Sequence, residues 1–184
     1  MKMKPKPVPE KLREATTKPR QWLFLFMFAG IYGILHFGYF QIPDELLRNV
    51  IYHWGLVRPD VGLIDLLAPA ERVVAVQNHL ISARANLEIV RGCDGSGAIF
   101  LIVSAVLAYP ATLSRKLLGV CAALALMYGL NLLRIAGIYF VVAYHPDWFL
   151  PAHTYFAPTL IVLLGCVYFA WWALWATRRP NGAV

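Results

Sequence analysis

The sequence predicts an all-α integral membrane protein in which four transmembrane helices carry one small outward-facing segment, an amphipathic helix followed by a short β-hairpin. Three observations lead there. Of the 184 residues, 59% are hydrophobic, and the mean hydropathy of +0.57 is too high for an ordinary soluble domain. Apolar runs close to the roughly 20 residues that cross a hydrocarbon core of about 30 Å recur along the chain. The net charge of +7 is gathered into alternate loops, whereas a nucleic-acid-binding protein would spread it over a face, so no nucleic-acid partner is expected.

The elements follow in order. Residues 1–21 form a Pro-rich, Lys-rich stretch with seven basic residues, Lys2, Lys4, Lys6, Lys11, Arg13, Lys18 and Arg20. This composition predicts a disordered cytoplasmic tail held near anionic lipid head groups. Trp22 to Phe40 is the first span, read as an uncleaved anchor because Tyr39-Phe40-Gln41-Ile42 offers no small-x-small cleavage site. Gly95 to Ala111 is the second and shortest span. Leu117 to Tyr144 is the third, interrupted only by Asn131 and Arg134, and Tyr155 to Trp175 is the fourth. Arg115 and Lys116 lie between the second and third spans, and Arg178 and Arg179 fall in a tail of residues 177–184. The positive-inside rule puts these loops and both termini in the cytoplasm. The expected result is one membrane domain, residues 22–176, in the cytoplasmic (inner) membrane.

Gln41 to Asp94 is then the one sizeable outward segment. In "PDELLRNVIYHWGL" a helical period puts Leu47, Val50, Ile51 and Trp54 on one face and Asp44, Arg48 and Asn49 elsewhere, which suits a helix lying along the outer membrane surface. His53 reads as an interfacial polar residue. From Arg72 to Val90, β-branched content and the "ARAN" break predict two short strands, the second leading directly into Gly92 and Cys93.

Three cysteines are an odd number, and Cys121 and Cys166 fall inside apolar spans, where a thiol packs as a small hydrophobe. No disulfide framework follows. The five histidines are scattered and no Cys-x-x-Cys occurs, so neither a metal nor a cofactor is expected. Cys93 is different. It sits in "EIVRGCDGSGAIF", a polar, glycine-rich turn at the outward end of the second span.

Two more reactive residue types reach the same side of the membrane. Arg134 lies seventeen residues into the third span, about 25 Å along it and in its outer part. His153, in "WFLPAHTYFAP", precedes the fourth span. A thiol attacks as thiolate, and the helix opening near Gly95 points its free N–H groups back toward Cys93. Asp94 opposes this if its carboxylate faces the sulfur, or it caps the helix through a backbone N–H. Gly92, Gly95 and Gly97 let another backbone approach and leave N–H groups free for an oxyanion. Taken alone, Gly-Cys-Asp-Gly is equally well a tight turn entering a helix. An arginine within a span costs about 2.5 kcal/mol or more, so it faces a polar partner or snorkels to the outer head groups. Asn131, three residues earlier, shares its helix face. His145, beside Pro146 and Asp147, competes with His153 as the base.

Together "RGCDGSG", "NLLRIAG" and "PAHTYFAP", in that order and on one side, resemble the exosortase and archaeosortase family of membrane transpeptidases over Asn86 to Trp175. The resemblance implies Cys93 as nucleophile, Arg134 as the stabiliser of an oxyanion or thiolate, and His153 as general base and acid, with Asn131, Asp94 and Gly95 in support. It implies that secreted proteins bearing a C-terminal sorting signal (a short motif, a membrane helix and a basic tail) are cleaved through a Cys thioester, the acyl group passing to an acceptor amine or to water. Membrane lipids surround the site, and the small residues Gly129 and Gly137 offer a seat for the substrate helix. Two features depart from the family: Asp94-Gly95 stands where Ser-Gly is common, and typical members carry more spans. Two non-enzymatic readings remain, an assembly scaffold in which Cys93 is only a turn residue and a small transporter in which Arg134 binds an anion.

Overall fold

The computed structural model describes residues 10–178, with side chains from residue 21 onward. Helix α1, Glu10–Phe40, starts inside the stretch expected to be a disordered tail; residues 1–9 of that tail lie outside the described residues. Short α2, Asp44–Leu46, runs into a π-helical stretch, Leu47–Val57, and then α3, Arg58–Leu67. Three strands follow, β1 Val74–Val76, β2 His79–Ile81 and β3 Asn86–Glu88. Helix α4, Ser96–Ala108, and the long α5, Leu113–Tyr144, form an antiparallel hairpin. After α6, Phe149–Pro151, and a π-helical turn, Ala152–Phe156, comes α7, Ala157–Thr177.

Among the described residues three helical stretches are long and apolar enough to cross a membrane: Gln21–Phe40, Leu113–Tyr144 and Pro146–Thr177. The expected second span differs. Its helix has 13 residues, about 20 Å at 1.5 Å per residue, less than the hydrocarbon thickness. Tyr109 ends it by turning extended, three residues before the boundary that apolar content alone suggested. The basic pair after it closes one end of the bundle. Lys116 Nζ donates to Leu107 O (2.5 Å) and Arg115 Nη1 to Ala176 O (2.5 Å), so cations meet the open carbonyls at the C-terminal ends of α4 and α7.

Two cores result. Near that basic end, Ile102, Val106, Ala123, Met127, Ile161 and Trp172 knit α4, α5 and α7 together. At the other end, Leu47, Tyr52, Val57, Ile64, Leu80 and Ile89 pack on Ile135, Ala136 and Tyr139 of α5. At 32 residues, α5 is about 48 Å long, so it serves both cores. Tyr144 and Tyr139 (3.1 Å) both hold the Glu71 carboxylate, and Tyr139 also meets Ser82 (2.8 Å), tying the C-terminal turns of α5 to the strands.

The segment between α1 and α4 differs from the sequence reading in three ways. Its first helix is π-wound, so the buried positions are Leu47, Tyr52, Leu56 and Val57, a spacing near five that suits i→i+5 bonding. Leu47 therefore turns inward, while Val50, Ile51 and Trp54 stay exposed. His53, expected as an interfacial residue, instead bonds Gln77 O (2.8 Å) in the β1–β2 turn. The sheet has three antiparallel strands in the order β1-β2-β3, not two. The extra turn is at Gln77, where φ is 51°; "ARAN" separates β2 from β3, and it is β3 that leads into Gly92 and Cys93.

Cys121 and Cys166 do not pack in a core; both are exposed on the surfaces of α5 and α7. Gly129 and Gly137 have open space beside them.

Candidate active site

The turn between β3 and α4 presents Cys93 at the seam of the two cores. It begins at Arg91, which lies in a cradle of acceptors: Tyr39 O (2.8 Å), Ile42 O and Asp44 Oδ1 (2.8 Å). Tyr39 belongs to the last turn of α1, and Ile42 lies just beyond that helix. The Asp44 carboxylate pushes the Arg91 guanidinium pKa up, so this anchor stays charged. Cys93 N donates to Val90 O (3.0 Å) to close the turn. Gly92 and Gly95 both hold positive φ, 86° and 83°, which glycine adopts without strain.

Asp94 organises the turn rather than capping the helix through a helical N–H. Its Oδ1 accepts from Gly92 N (3.2 Å) and Ser96 Oγ (3.0 Å), and its Oδ2 accepts from Tyr39 OH (2.6 Å). Tyr52 OH completes the chain by donating to Tyr39 (2.6 Å). The buried carboxylate is thus satisfied by three donors, which offsets the cost of holding it away from water.

Helix α5 supplies the next pair. Asn131 Nδ2 donates to Asp94 O (2.9 Å), and Arg134 Nη1 donates to Cys93 O (2.9 Å). Three residues apart, they share the face turned to the turn. Arg134 therefore does not snorkel to the head groups. Counted from Leu113 it lies 21 residues along α5, about 32 Å, in the C-terminal half of that helix. Its Nε is buried with no acceptor, and so is Asn131 Oδ1 with no donor.

The π-helical turn before α7 brings the histidine. His153 Nε2 stands 3.1 Å from Cys93 Sγ, a distance that suits the thiol donating to an unprotonated ring nitrogen. Phe149 stacks on the imidazole, with centroids 5.2 Å apart and planes 27° apart, and so fixes its orientation. His145 caps α5 and is exposed; of the two histidines, the fold brings only His153 to the sulfur.

Electrostatics differ from the expectation of a thiolate stabilised at a helix N-terminus. Burial pushes the Cys93 thiol pKa up, Arg134 pulls it down, and Asp94 pushes it up again. With burial the largest of these effects, the balance favours the thiol over the thiolate, and its neighbour is His153 Nε2. Beside it runs a narrow cleft lined by Leu87, Glu88 and Ile89 of β3 and by Cys93, Arg134, Ile135, Ile138 and His153. Among the described residues no cluster of His, Cys, Asp and Glu has the makings of a metal site.

Sequence reasoning missed Tyr39, Tyr52 and Arg91. Arg91 stood two residues before the cysteine and was available as a signal. The tyrosines carried none, because their partner lies 55 residues away for Tyr39.

A family model described as transmembrane exosortase matches residues 61–171, a stretch that includes Cys93, Arg134 and His153. No curated protein and no solved structure matches the chain.

Proposed function

The chain belongs to the transmembrane exosortase family, and from that premise we propose that it is a membrane-embedded cysteine transpeptidase that cleaves the C-terminal sorting signal of secreted proteins at the outer face of the cytoplasmic membrane. In this reading Cys93 is the nucleophile, His153 the general base and acid, and Arg134 the oxyanion donor. The observation that carries it is the 3.1 Å contact between His153 Nε2 and Cys93 Sγ, with a buried arginine donor beside it.

His153 Nε2 takes the thiol proton as Sγ adds to a substrate peptide carbonyl, and the resulting oxyanion is held by the Arg134 guanidinium. Collapse breaks the C–N bond, His153 returns the proton to the leaving amine, and a thioester remains on Cys93. An acceptor amine then attacks the thioester, forming an amide and restoring the thiol; with water the product is a carboxylic acid. A neutral resting thiol fits this scheme, because the proton is removed only when the carbonyl is in place. Asn131, Asp94 and Gly95 hold the turn.

The substrate proposed is a secreted protein ending in a short motif, an apolar helix and a basic tail. The test is processing of a reporter bearing such a tail, at matched protein levels. Cys93→Ala should abolish it, His153→Ala should slow it and His145→Ala should not. Arg134→Lys keeps the charge but loses the planar fork, and should lose most activity. Processing at wild-type speed by both Arg134→Lys and His153→Ala would defeat this division of roles. If Cys93→Ala also processes normally, the chain acts as a scaffold.

A further inference from the structure

We infer that the substrate binds as an added β-strand along the open edge of β3, and that this pairing delivers its scissile carbonyl to Cys93. The inference rests on the reading of Cys93 as the nucleophile and concerns how that residue is supplied.

The register fixes which backbone groups are free. Strands β2 and β3 pair antiparallel with His79 opposite Glu88, Leu80 opposite Leu87 and Ile81 opposite Asn86. At the two ends of this ladder, Ile89 N donates to Asn78 O (2.8 Å) and Ser82 N donates to Ala85 O (2.8 Å). In an antiparallel ladder hydrogen-bonded and non-hydrogen-bonded pairs alternate. Ala85, Leu87 and Ile89 therefore turn their amides and carbonyls toward β2. Asn86 and Glu88 turn theirs the other way, and no strand lies beyond β3 among the described residues.

That open edge belongs to the cleft. Successive strand side chains point to opposite faces, so a cavity against one face touches alternate residues. Here three consecutive residues, Leu87, Glu88 and Ile89, line the cleft together with Cys93 and His153, which means that the cleft runs along the edge. Ile135 and Ile138 give it an apolar wall. An extended peptide satisfies the unpaired Glu88 N–H and C=O and leaves its next residues beside Cys93, five positions further along the chain. Main-chain bonds of this kind supply affinity with little dependence on side chains. An unpaired edge left without such an occupant is a site for unwanted pairing.

The test uses full-length protein in membranes and two thiol reagents, iodoacetamide and acetyl-tetraalanyl chloromethyl ketone, whose chloride is displaced by Cys93 Sγ to give a thioether. Four further peptide probes each carry one N-methylated alanine. Each edge bond lost should slow the peptide reaction about threefold to tenfold, relative to iodoacetamide. The slowing should fall on alternate alanines, because only every second residue of a strand faces a given neighbour. Glu88→Pro removes one edge donor while sparing the β2 ladder, and should lower the peptide rate relative to iodoacetamide by a similar factor. N-methylation that has no effect, or the same effect at all four positions, overturns the proposal even if Cys93 reacts normally. If Glu88→Pro also disturbs the iodoacetamide rate, the N-methyl series on the unaltered protein decides. Failure of Cys93 to react with either reagent overturns both this inference and the reading of Cys93 as nucleophile.

Discussion

Replacing Gly95 by alanine attacks the nucleophile turn without altering any reactive group. Gly95 has φ +83°, and a Cβ built there falls 2.5 Å from both Cγ and Oδ1 of Asn131. A left-handed backbone costs a non-glycine residue about 1–2 kcal/mol. Asn131 sits on the interior face of α5 and is buried, so it yields only by giving up its bond to Asp94 O. Leaving those buried groups unpaired adds about 1–3 kcal/mol. The sum, about 2–5 kcal/mol, opposes the aligned turn; at 1.4 kcal/mol per decade, alkylation of Cys93 should slow at least tenfold. The assay is the second-order rate with iodoacetamide, measured in a double-mutant cycle with Asn131→Ala. Both single changes break the same bond, and Asn131→Ala also removes the clash. The double variant should therefore be no slower than Gly95→Ala alone. A wild-type rate for Gly95→Ala, or strict additivity in the cycle, would refute the reasoning.

Other outcomes are expected. The Cys93 alkylation rate should rise with pH through an apparent pKa above the ordinary thiol value near 8.5, because burial raises it; Asp94→Asn should shift the profile down and Arg134→Leu should shift it up. Asp60 is fully buried with both carboxylate oxygens unpartnered, and desolvation raises its pKa to about 8. Below about pH 4 folded and unfolded chains both hold this proton; from there to about pH 8 only the folded chain keeps it, so stability falls as pH rises. Asp60→Asn should remove a penalty on the order of a few kcal/mol at pH 7 and flatten the melting temperature across that window; an unchanged pH profile would contradict this. Membrane-impermeant maleimide should label Cys93 in intact cells and spare Cys121 and Cys166, whose exposure is on spanning helices and hence toward lipid. Reporter fusions should place Arg115 and Arg178 inside and Asp60 and Pro151 outside; an inward Asp60 would put Cys93 on the wrong side for secreted substrates.

That Cys93, Arg134 and His153 come together was legible because each is a costly or reactive type in a chain of few such residues, and hydropathy put all three toward one end of the spans. The residue pattern alone did not separate His153 from His145; only the family resemblance favoured His153. The choice depends on the π-helical turn at Ala152–Phe156, which no apolar period announces. The same limit misplaced Leu47, since the 3.6-residue period assumed for Leu47–Val57 differs from the winding found. Apolar content lengthened α4 because it cannot tell a helix from the extended residues after Tyr109. Asp94 was visible as a charge beside the thiol, but its role was set by Tyr39, Gly92 and Ser96, and the tyrosine is remote in sequence.

The order in which the chain is made bears on when its thiol becomes dangerous. Domains and segments fold as they emerge, N-terminal parts first. Cys93 is synthesised 60 residues before the histidine that touches it, and its turn is pinned meanwhile by Tyr39 and Arg91, which are already made. Until the last helix is threaded and brings Phe149 and His153 to the turn, the sulfur has no imidazole beside it. On the proposed mechanism a half-inserted chain lacks its general base, and insertion of the final helix completes the site.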